Sequence, residues 1–531
     1  MSKQRILVAD PISPKGIEEL QADPAFDVDV KIGISPEDLL ATADQYHGII
    51  VRSQTKITAE VLAKATNLKV VGRAGVGVDN IDVTAASTKG VVVMNTPAGN
   101  TISTAEHAFS LMLSLARHIP QAHASMVAGR WDRKKFQGTE VYDKTLAILG
   151  MGRIGTEFAR RAMAFGMRVV AYDPYLSSSR ARLLRVELVD TVEEAVKDAD
   201  FITLHMPMTP ETKHILNAER IANLKKGVRI VNCARGGLLD EAAVAKAIED
   251  GIVAGVALDV YETEPPTEDF ILRESPSAVL TPHLGASTSE AQENVGIEIA
   301  RTIADHLKEG TVVNAVNMPN IDEKTVAAIG RYLEFAEKLG LLVSQIAPGR
   351  PNTLGVDYSG KVSECDTTLI TRSALKGYLQ PSCDPGAVNH INAPGFAEMQ
   401  GIRVTESHSP NPTEFTDLIE VAVKTDNGEA RVFGTFFGSS PRIVKINDHR
   451  VEAGPGGCLL LLTNEDIPGR IGQVGSVLGE NNINIGNMSL SRNTVGELAM
   501  TVINLDSAPS DDVLRKLEEI PGVKEARVIQ L

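Results

Sequence analysis

Four polar side chains that could carry out chemistry each follow an apolar run of the kind that forms a buried strand. They are His205 after DFITL, Arg235 after RIVNCA, Glu264 shortly after VALDV, and His283 after AVLTP. Ligands of doubly wound sheets bind beyond the carboxyl ends of the strands, so we expect these residues to meet in one cleft. Removal of hydrogen from a 2-hydroxy acid needs a base, a cation for the carboxylate, and a nicotinamide. A nearby carboxylate raises an imidazole pKa by about 1 to 3 units, which suits a base. The residues alone do not choose between His205 and His283.

A glycine-rich turn predicts where the nicotinamide cofactor binds. GMGRIG at 150–155 follows the apolar run TLAIL and opens a helical pattern, and the next apolar run, MRVVAYD, ends in Asp173. Gly150 allows the tight turn, Gly152 lets the backbone approach a pyrophosphate, and Gly155 lets helix and strand pack closely. Asp173 would bind the ribose hydroxyls and repel the extra phosphate of NADP. The pattern therefore predicts an NAD site.

The elements that would position these groups alternate along most of the chain. Two successive series of short apolar runs and helical patterns, up to about residue 97 and from about 145, predict two doubly wound α/β units. A long amphipathic helix at about 323–347 then leads into a polar, strand-rich region that ends near 453–457. The last 75 or so residues read as strand, helix, strand, strand, helix, strand, the order of a ferredoxin-like unit.

Composition narrows the function classes. The chain has 531 residues and a formal net charge of -15, which argues against nucleic-acid and anionic-membrane partners. Its four cysteines lack metal-ligand spacing, so neither a metal site nor a disulfide framework is expected. The sequence shows no apolar stretch long enough to span a bilayer, and we expect a cytoplasmic protein.

Five motifs together resemble the D-isomer-specific 2-hydroxyacid dehydrogenases: GRAGVGVDNID, GMGRIG with Asp173, VNCARGGLLDE, ALDVYETEPP and TPHLGAST. The likeness is greatest to long members with an intervening domain and a C-terminal ACT domain, which oxidise 3-phospho-D-glycerate to 3-phosphohydroxypyruvate at the start of L-serine biosynthesis. It implies an α/β fold of two Rossmann-like domains followed by an α+β intervening domain and a βαββαβ ACT domain. The implied boundaries are 1–97 with 287–316 for substrate, 98–286 for NAD, 317–455 for the intervening domain and 457–531 for ACT.

The resemblance also implies roles for single residues. Arg235 would bind the substrate carboxylate and keto oxygen, Glu264 would orient and charge the imidazole, and His283 would exchange the proton. The implied NAD contacts, beyond the glycines and Asp173, come from Val76, Arg153, Ile154, Met206, Pro207, Cys233, Ala234, Arg235, Asp259, His283, Gly285 and Ala286. Val76 and Met206 stand where other members often have threonine, so each would lose one hydroxyl contact to the cofactor.

A phosphorylated substrate needs fixed cations in this acidic chain. Arg52 with Ser53, and Arg73 with Gly75 nearby, follow strands of the first unit and are expected to face the cleft. The basic run containing Arg133 and Lys134 would by default be a solvated charged stretch. The resemblance instead implies that this run reaches the active site of a neighbouring subunit, and hence a homotetramer or homodimer.

The ACT-like tail suggests control by an amino acid. Pro468 and Gly469 begin a helix whose amide groups suit a carboxylate, and Asn464, Asp466 and Asn484 could bind an α-amino group and a small hydroxylated side chain. From the resemblance we expect feedback inhibition by L-serine, with residues from about 318 to 455 as coupler or second effector site.

Two other functions remain open at this stage. Another D-2-hydroxyacid dehydrogenase, such as a glyoxylate or hydroxypyruvate reductase, shares the core motifs. A non-enzymatic NAD-sensing protein, like the carboxy-terminal-binding transcriptional corepressors, resembles the same two-domain core. The ACT-like tail and the basic residues argue against both.

Overall fold

The first part of the chain forms a five-stranded parallel sheet. The computed structural model describes residues 3–321, 323–411, 414–492 and 498–531. The sheet has the order β2-β1-β3-β4-β5. The apolar, β-branched strands β3, β4 and β5 are buried, as expected for a sheet covered on both faces, whereas the edge strand β2 is partly exposed. Its strands are β1 (Gln4–Val8), β2 (Phe26–Val30), β3 (Gly48–Val51), β4 (Val70–Arg73) and β5 (Val92–Asn95), and its helices are α1 (Pro14–Ala22), α2 (Pro36–Thr42), α3 (Ala59–Lys64) and α4 (Val83–Lys89).

A second parallel sheet of seven strands follows, in the order β12-β11-β10-β9-β6-β7-β8. The last helix of this series, α12, returns to the first unit, where its apolar face packs on β4 and its charged residues pair with α1. The helices are α5 (Thr101–Arg117), α6 (Ile119–Val127), α7 (Arg153–Ala164), α8 (Ser178–Leu184), α9 (Val192–Val196), α10 (Ala218–Ala222), α11 (Glu241–Glu249) and α12 (Ser289–Glu309). The strands are β6 (Thr145–Leu149), β7 (Arg168–Tyr172), β8 (Glu187–Val189), β9 (Phe201–Leu204), β10 (Val228–Asn232), β11 (Val253–Leu258) and β12 (Ala278–Leu280).

The third unit is a mixed six-stranded sheet in the order β14-β13-β15-β16-β17-β18. Only β13 and β14 pair in parallel, and the long helix α13 packs on β15 and β16 because its apolar residues recur at helical spacing. The helices are α13 (Glu323–Ile346), α14 (Thr368–Leu379) and α15 (Ala393–Met399). The strands are β13 (Pro351–Gly360), β14 (Arg403–Ser409), β15 (Asp417–Thr425), β16 (Gly428–Phe437), β17 (Ser440–Ile446) and β18 (His449–Ala453).

The C-terminal unit has the predicted βαββαβ order and an antiparallel sheet β20-β21-β19-β22. One face carries the two helices, and the other contributes Leu459, Leu461, Val502 and Ile529 to the apolar core of the third unit. Its elements are β19 (Cys458–Glu465), α16 (Arg470–Glu480), β20 (Ile485–Arg492), β21 (Leu498–Leu505), α17 (Asp511–Glu518) and β22 (Val523–Gln530). Within the described part of the chain, every helix is too short or too polar to cross a membrane.

Candidate active site

His283 and Glu264 form a close pair at the carboxyl edge of the second sheet. His283 follows β12, Glu264 follows β11, and Nδ1 of the imidazole lies 2.8 Å from Oε2 of the carboxylate. The hydrogen bond to Glu264 raises the pKa of His283 above its usual 6.5, although burial acts the other way. Burial alone would raise the pKa of Glu264, but the His283 hydrogen bond and charge and the Tyr261 N–H outweigh it and lower that pKa. Nε2 of His283 is therefore left to exchange a proton with a ligand.

The loop that carries His283 is held by Asp259, which is 1% exposed. The Leu284 and Gly285 amides donate to its two carboxylate oxygens at 2.7 and 2.8 Å, and the Thr281 hydroxyl donates at 2.6 Å. Nε2 of His107 lies 3.1 Å from the same carboxylate. Asp259 is also one of the predicted NAD contacts, and in this structure its oxygens accept hydrogen bonds from protein groups. Neither the role of Thr281 nor the hydrogen bond of His107 could be read from the sequence, since their partner lies more than 20 residues away.

The second histidine at a strand end, His205, has a different environment. Its ring lies 5.1 Å from the Phe158 ring, and Nε2 is 3.0 Å from the Thr203 hydroxyl. Burial lowers the pKa of His205 to about 3. A group that is neutral throughout the physiological range cannot return a proton in the reverse reaction, so the geometry favours His283 as the base.

The charge of Arg235 reaches this pair, where it opposes the rise in the pKa of His283, and Arg73 lies near both Arg235 and Arg52. Arg235 follows β10, and its Nη1 donates to the Ala234 carbonyl at 2.7 Å. Burial and the charge of Arg235 lower the pKa of Arg73 to about 10, and Arg52 acts in the same direction. Nε of Arg73 is buried and, among the described residues, has no hydrogen-bond partner. Such a cluster of guanidinium groups suits a ligand with more than one negative charge.

A buried carboxylate that sequence reasoning missed fixes the loop of Arg52 and Ser53. Asp10 is fully buried. It accepts the Arg52 N–H at 2.7 Å and the Thr55 hydroxyl at 2.6 Å. Its position directly after β1 was the available signal, because polar residues at strand ends line the cleft. Ser53 itself is exposed.

The dinucleotide turn has space for the cofactor. Gly150 has φ of 100°, which a residue with a side chain rarely adopts. A Cβ atom on Gly152 would meet nothing within 4 Å, and the N-terminus of α7 has no side-chain cap. Asp173 accepts the Met151 N–H at 2.7 Å and the Tyr175 N–H at 2.8 Å, one on each oxygen, which leaves lone pairs for ribose hydroxyls. The open amide end of the helix and the carboxylate fit a dinucleotide.

Of the other residues predicted to contact NAD, Arg153 and Ile154 begin helix α7, and the rest lie in loops that follow strands of the two parallel sheets. Arg153 and Pro207 are exposed, Gly285 and Cys233 are buried, and Val76, Ile154, Met206, Ala234 and Ala286 are partly buried. Burial raises the pKa of the Cys233 thiol, so this residue packs as a small neutral side chain. Gly155 is buried under the turn, and Gly75 lies directly against the Arg73 guanidinium.

The predicted basic run and effector residues are placed outside this cleft. Arg133 and Lys134 are exposed on the 3-10 helix Arg133–Phe136. The three predicted effector residues are not brought together within one chain. Asn464 pairs with Ala499 on β21, whereas Asn484 lies beside the end of β21 at Leu505, roughly 20 Å away along the strand.

The side chains of the effector residues are engaged locally. Asn464 is buried and accepts the Thr501 hydroxyl at 3.0 Å. Asp466 lies 2.8 Å from Arg492, and Asn484 donates to Asp506 at 2.7 Å. The three residues therefore do not form one pocket in a single C-terminal domain.

Comparisons with known proteins agree with this architecture. Family models match for the NAD-binding domain of D-isomer specific 2-hydroxyacid dehydrogenases at residues 109–285, the D-3-phosphoglycerate dehydrogenase intervening domain at 328–447, and the ACT domain at 459–522. The chain is 42% identical to D-3-phosphoglycerate dehydrogenase of Methanocaldococcus jannaschii, over 99% of this chain and 100% of that protein. It is also 42% identical to the Bacillus subtilis enzyme of that name, over 99% of each.

The structural comparison covers the first two units. A glyoxylate reductase from Paecilomyes thermophila is 31% identical and superposes with a TM-score of 0.55, covering 60% of this chain and 99% of that one. The predicted α/β class, the NAD cofactor and the presence of an intervening domain and an ACT domain are thereby confirmed. With full-length relatives of this identity, the chain belongs to the D-3-phosphoglycerate dehydrogenases, within the NAD-dependent D-isomer-specific 2-hydroxyacid dehydrogenase family.

Proposed function

We propose that this chain oxidises 3-phospho-D-glycerate to 3-phosphohydroxypyruvate with NAD, the first step of L-serine biosynthesis. The observation that carries the proposal is the 2.8 Å pair of His283 and Glu264 within reach of the charge of Arg235, which in turn lies near Arg73. A base charged by a carboxylate suits a reversible proton transfer. The cluster of cations suits a substrate with both a carboxylate and a phosphate.

The proton moves at Nε2 of His283. Because Nδ1 faces Glu264, the neutral imidazole presents Nε2 to the substrate hydroxyl and takes its proton as the carbonyl forms. The Glu264 carboxylate stabilises the resulting imidazolium. In the reverse direction the same nitrogen returns the proton to the keto oxygen.

The arginines orient the substrate. Arg235 binds the carboxylate and the keto oxygen, and its planar group holds both in one plane. Arg52, Ser53 and Arg73 bind the phosphate from the first unit, so the substrate bridges the two α/β units. NAD is held by the turn from Gly150 to Gly155 and by Asp173, and the chemistry that it supplies when bound is acceptance of hydride from the carbon that bears the hydroxyl.

A substrate panel tests this function. NAD reduction is measured with 3-phospho-D-glycerate, glycolate, D-glycerate and D-lactate, and we expect a clear preference for the phosphorylated acid. Preference for an unphosphorylated acid would support a different dehydrogenase of the family. Absence of turnover with all four acids, together with NAD binding, would support an NAD-sensing protein.

The predicted division of the chain is part of the proposal. Residues 1–97 with 287–316 would bind substrate, 98–286 NAD, and 317–455 and 457–531 would regulate. The return of α12 to the first sheet supports the discontinuous first domain. Cytoplasmic location stays a prediction from composition.

A homodimer or homotetramer is proposed from the surface around α6. Ile119, Met126, Val127 and Trp131 are each more than half exposed, which is unusual for apolar side chains so close in sequence. Arg133 and Lys134 follow directly. A partner that covered this surface would receive the basic run, as expected if it completes a neighbouring active site. Sedimentation equilibrium should give at least a dimer.

Inhibition by L-serine is proposed with a site shared between two C-terminal domains. Asn464 and Asp466 lie at one end of the sheet and Asn484 at the other, so a second copy in opposite orientation could supply the missing side chain. Calorimetry should detect serine binding to the intact oligomer, and activity should fall at millimolar serine. Binding without any change in activity would limit the C-terminal domain to assembly.

The third unit contacts both the first unit, which would bind substrate, and the C-terminal unit, which would bind serine. Nδ2 of Asn389 donates to the Gly90 carbonyl at the end of α4 at 2.9 Å, and Nδ2 of Asn317 donates to Ser87 in the same helix at 3.2 Å. On its other side the unit shares its core with the C-terminal sheet. The Asn389 contact and the shared core support the proposed role of residues 318–455 as coupler.

A further inference from the structure

One carboxylate in the cleft has no role in the reaction derived above. Asp79 lies in the loop between β4 and α4 of the first unit, and its Oδ2 is 3.8 Å from Nε of Arg235, which belongs to the second unit. Its side chain is 83% exposed, and among the described residues Arg235 is its only ion-pair partner. The contact therefore spans the cleft in which the substrate has to bind.

The edge of the guanidinium group that Asp79 approaches is the informative detail. Nη1 of Arg235 donates to the Ala234 carbonyl, so Nε and Nη2 are the two donors that can hold a carboxylate side by side. Asp79 faces Nε. The backbone of Gly77 comes so close to Nη2 that a Cβ atom there would lie 2.5 Å from it, and 2.8 Å from Oδ2 of Asp79. Asp79 thus lies at the edge of Arg235 that a substrate carboxylate would use.

The carboxylate of Asp79 lies among positively charged groups of the cleft. Burial lowers the pKa of Arg73, the charges of Arg235 and Arg52 lower it further, and the charge of Asp79 acts in the opposite direction. Asp10 also lies near, but its oxygens accept backbone N–H groups and a hydroxyl. A separation of 3.8 Å is too long for a hydrogen bond, so the pair of Asp79 and Arg235 is weak and can separate.

We propose that Asp79 is a positioning residue that competes with the substrate carboxylate for Arg235. It neutralises and holds the guanidinium group while the cleft is empty, and the substrate carboxylate displaces it. The inference rests on the proposed function, in which Arg235 binds that carboxylate. Asp79 therefore weakens the binding of every carboxylate ligand at this position, and its removal should strengthen binding.

Titration calorimetry of the full-length protein without NAD tests this directly, because no turnover can occur. Asp79→Asn should lower the Kd of 3-phospho-D-glycerate about two- to fivefold, the range expected for loss of an exposed ion pair. The Kd of D-glycerate should fall by the same factor. The Kd of inorganic phosphate, which has no carboxylate, should fall less. Asp79→Glu keeps the charge and should bind no more tightly than wild type.

Matched controls separate competition from a general change in charge. Asp44→Asn makes the same substitution on the 3-10 helix Ala43–Gln45, which precedes β3 and so lies at the opposite edge of the sheet. It should leave the Kd unchanged. In steady-state assays Asp79→Asn should lower KM while kcat stays equal or falls, and its melting temperature shows whether it is folded.

Two outcomes would overturn the proposal. One is a Kd for 3-phospho-D-glycerate in Asp79→Asn equal to or above that of wild type. The other is an equal fall in the Kd of phosphate and of D-glycerate, which would indicate that Asp79→Asn acts only through the net charge of the cleft. If the wild type binds no 3-phospho-D-glycerate without NAD, the substrate panel decides the proposed function, and the same titrations with oxalate, a small dicarboxylate, decide the role of Asp79.

Discussion

At the residue scale, the environment of each histidine separates the base from the packing residue. His283 has Glu264 at 2.8 Å and a raised pKa, whereas burial lowers the pKa of His205 to about 3. We expect His283→Ala to lower kcat by about 10²-fold or more, with a smaller change in KM. His205→Gln should keep turnover within about threefold, because no proton passes through it. Near-normal kcat in His283→Ala with loss in His205→Gln would reverse the assignment.

The pH dependence of the two directions provides a second test at this scale. Oxidation needs neutral His283, so its rate should fall as pH drops through a pKa above 6.5, while reduction needs the imidazolium and should fall as pH rises through the same value. Glu264→Gln removes the charge that raises this pKa. The acid limb of kcat/KM for oxidation should therefore move to lower pH. Near neutral pH, the rate of reduction should fall more than the rate of oxidation. An unmoved limb would mean that another group titrates.

At the element scale, two glycines of the turn between β6 and α7 serve different purposes, one for folding and one for cofactor binding. A methyl group on Gly152 would enter open space, whereas one on Gly150 would collide with the His205 carbonyl at a φ of 100°. We expect Gly152→Ala to melt at the wild-type temperature without NAD but to bind NAD at least about tenfold more weakly, since the pyrophosphate needs that space. Gly150→Ala should itself be destabilised. Fluorescence titration with NAD and calorimetric melting measure the two effects.

The contact between α4 and the third unit can be tested with a nearly isosteric change. Asn389→Asp keeps the oxygen that accepts the Ile391 N–H at 2.9 Å and removes the donor to the Gly90 carbonyl. If this contact transmits the serine response, the serine concentration for half-inhibition should rise about fivefold or more, the effect of losing about 1 kcal/mol of coupling. Uninhibited turnover should be retained. Asn427→Asp, in the turn between β15 and β16, is the control, and equal serine sensitivity of both variants would exclude this route.

At the scale of the whole molecule, the third and C-terminal units share an apolar core, so deletion of the C-terminal unit is not a clean test of the serine response. Removal of the C-terminal domain would expose the third unit's core where Leu459, Leu461, Val502 and Ile529 pack against it. Loss of serine response in a truncated chain would then be confounded by exposure of this apolar surface. Single substitutions in the contacts test regulation more cleanly.

A mixing experiment tests whether Arg133 and Lys134 act in a neighbouring subunit. His283→Ala and the double variant Arg133→Gln/Lys134→Gln should each be impaired alone. In a hybrid oligomer, the site with intact His283 would receive an intact basic run from its neighbour, so denaturing and refolding the two together should restore up to about half of wild-type activity per hybrid dimer. Recovery that does not exceed the sum of the separate variants would place the run in its own active site or outside any site.

The sequence by itself determined the features that depend on neighbouring residues. The NAD turn, the four units, the α13 helix and the order of the C-terminal strands follow from local patterns that repeat every two or 3.6 residues, or from glycines within one turn. The same patterns placed His205, Arg235, Glu264 and His283 at one sheet edge. The helical spacing of apolar residues runs on from α5 into α6 and does not mark the break between them at His118, whose φ is 52°.

Tertiary structure decided which of these groups face one another. Burial of the His205 ring, the hold of Asp259 on the His283 loop, and the position of Asp79 against Arg235 each depend on segments between about 25 and 150 residues apart. The separation of Asn464 from Asn484 depends on strand register, although their sequence positions differ by only 20. Local sequence fixes backbone conformation, but the burial and charge that set a pKa, and the distance that makes an ion pair, arise only when distant elements pack together.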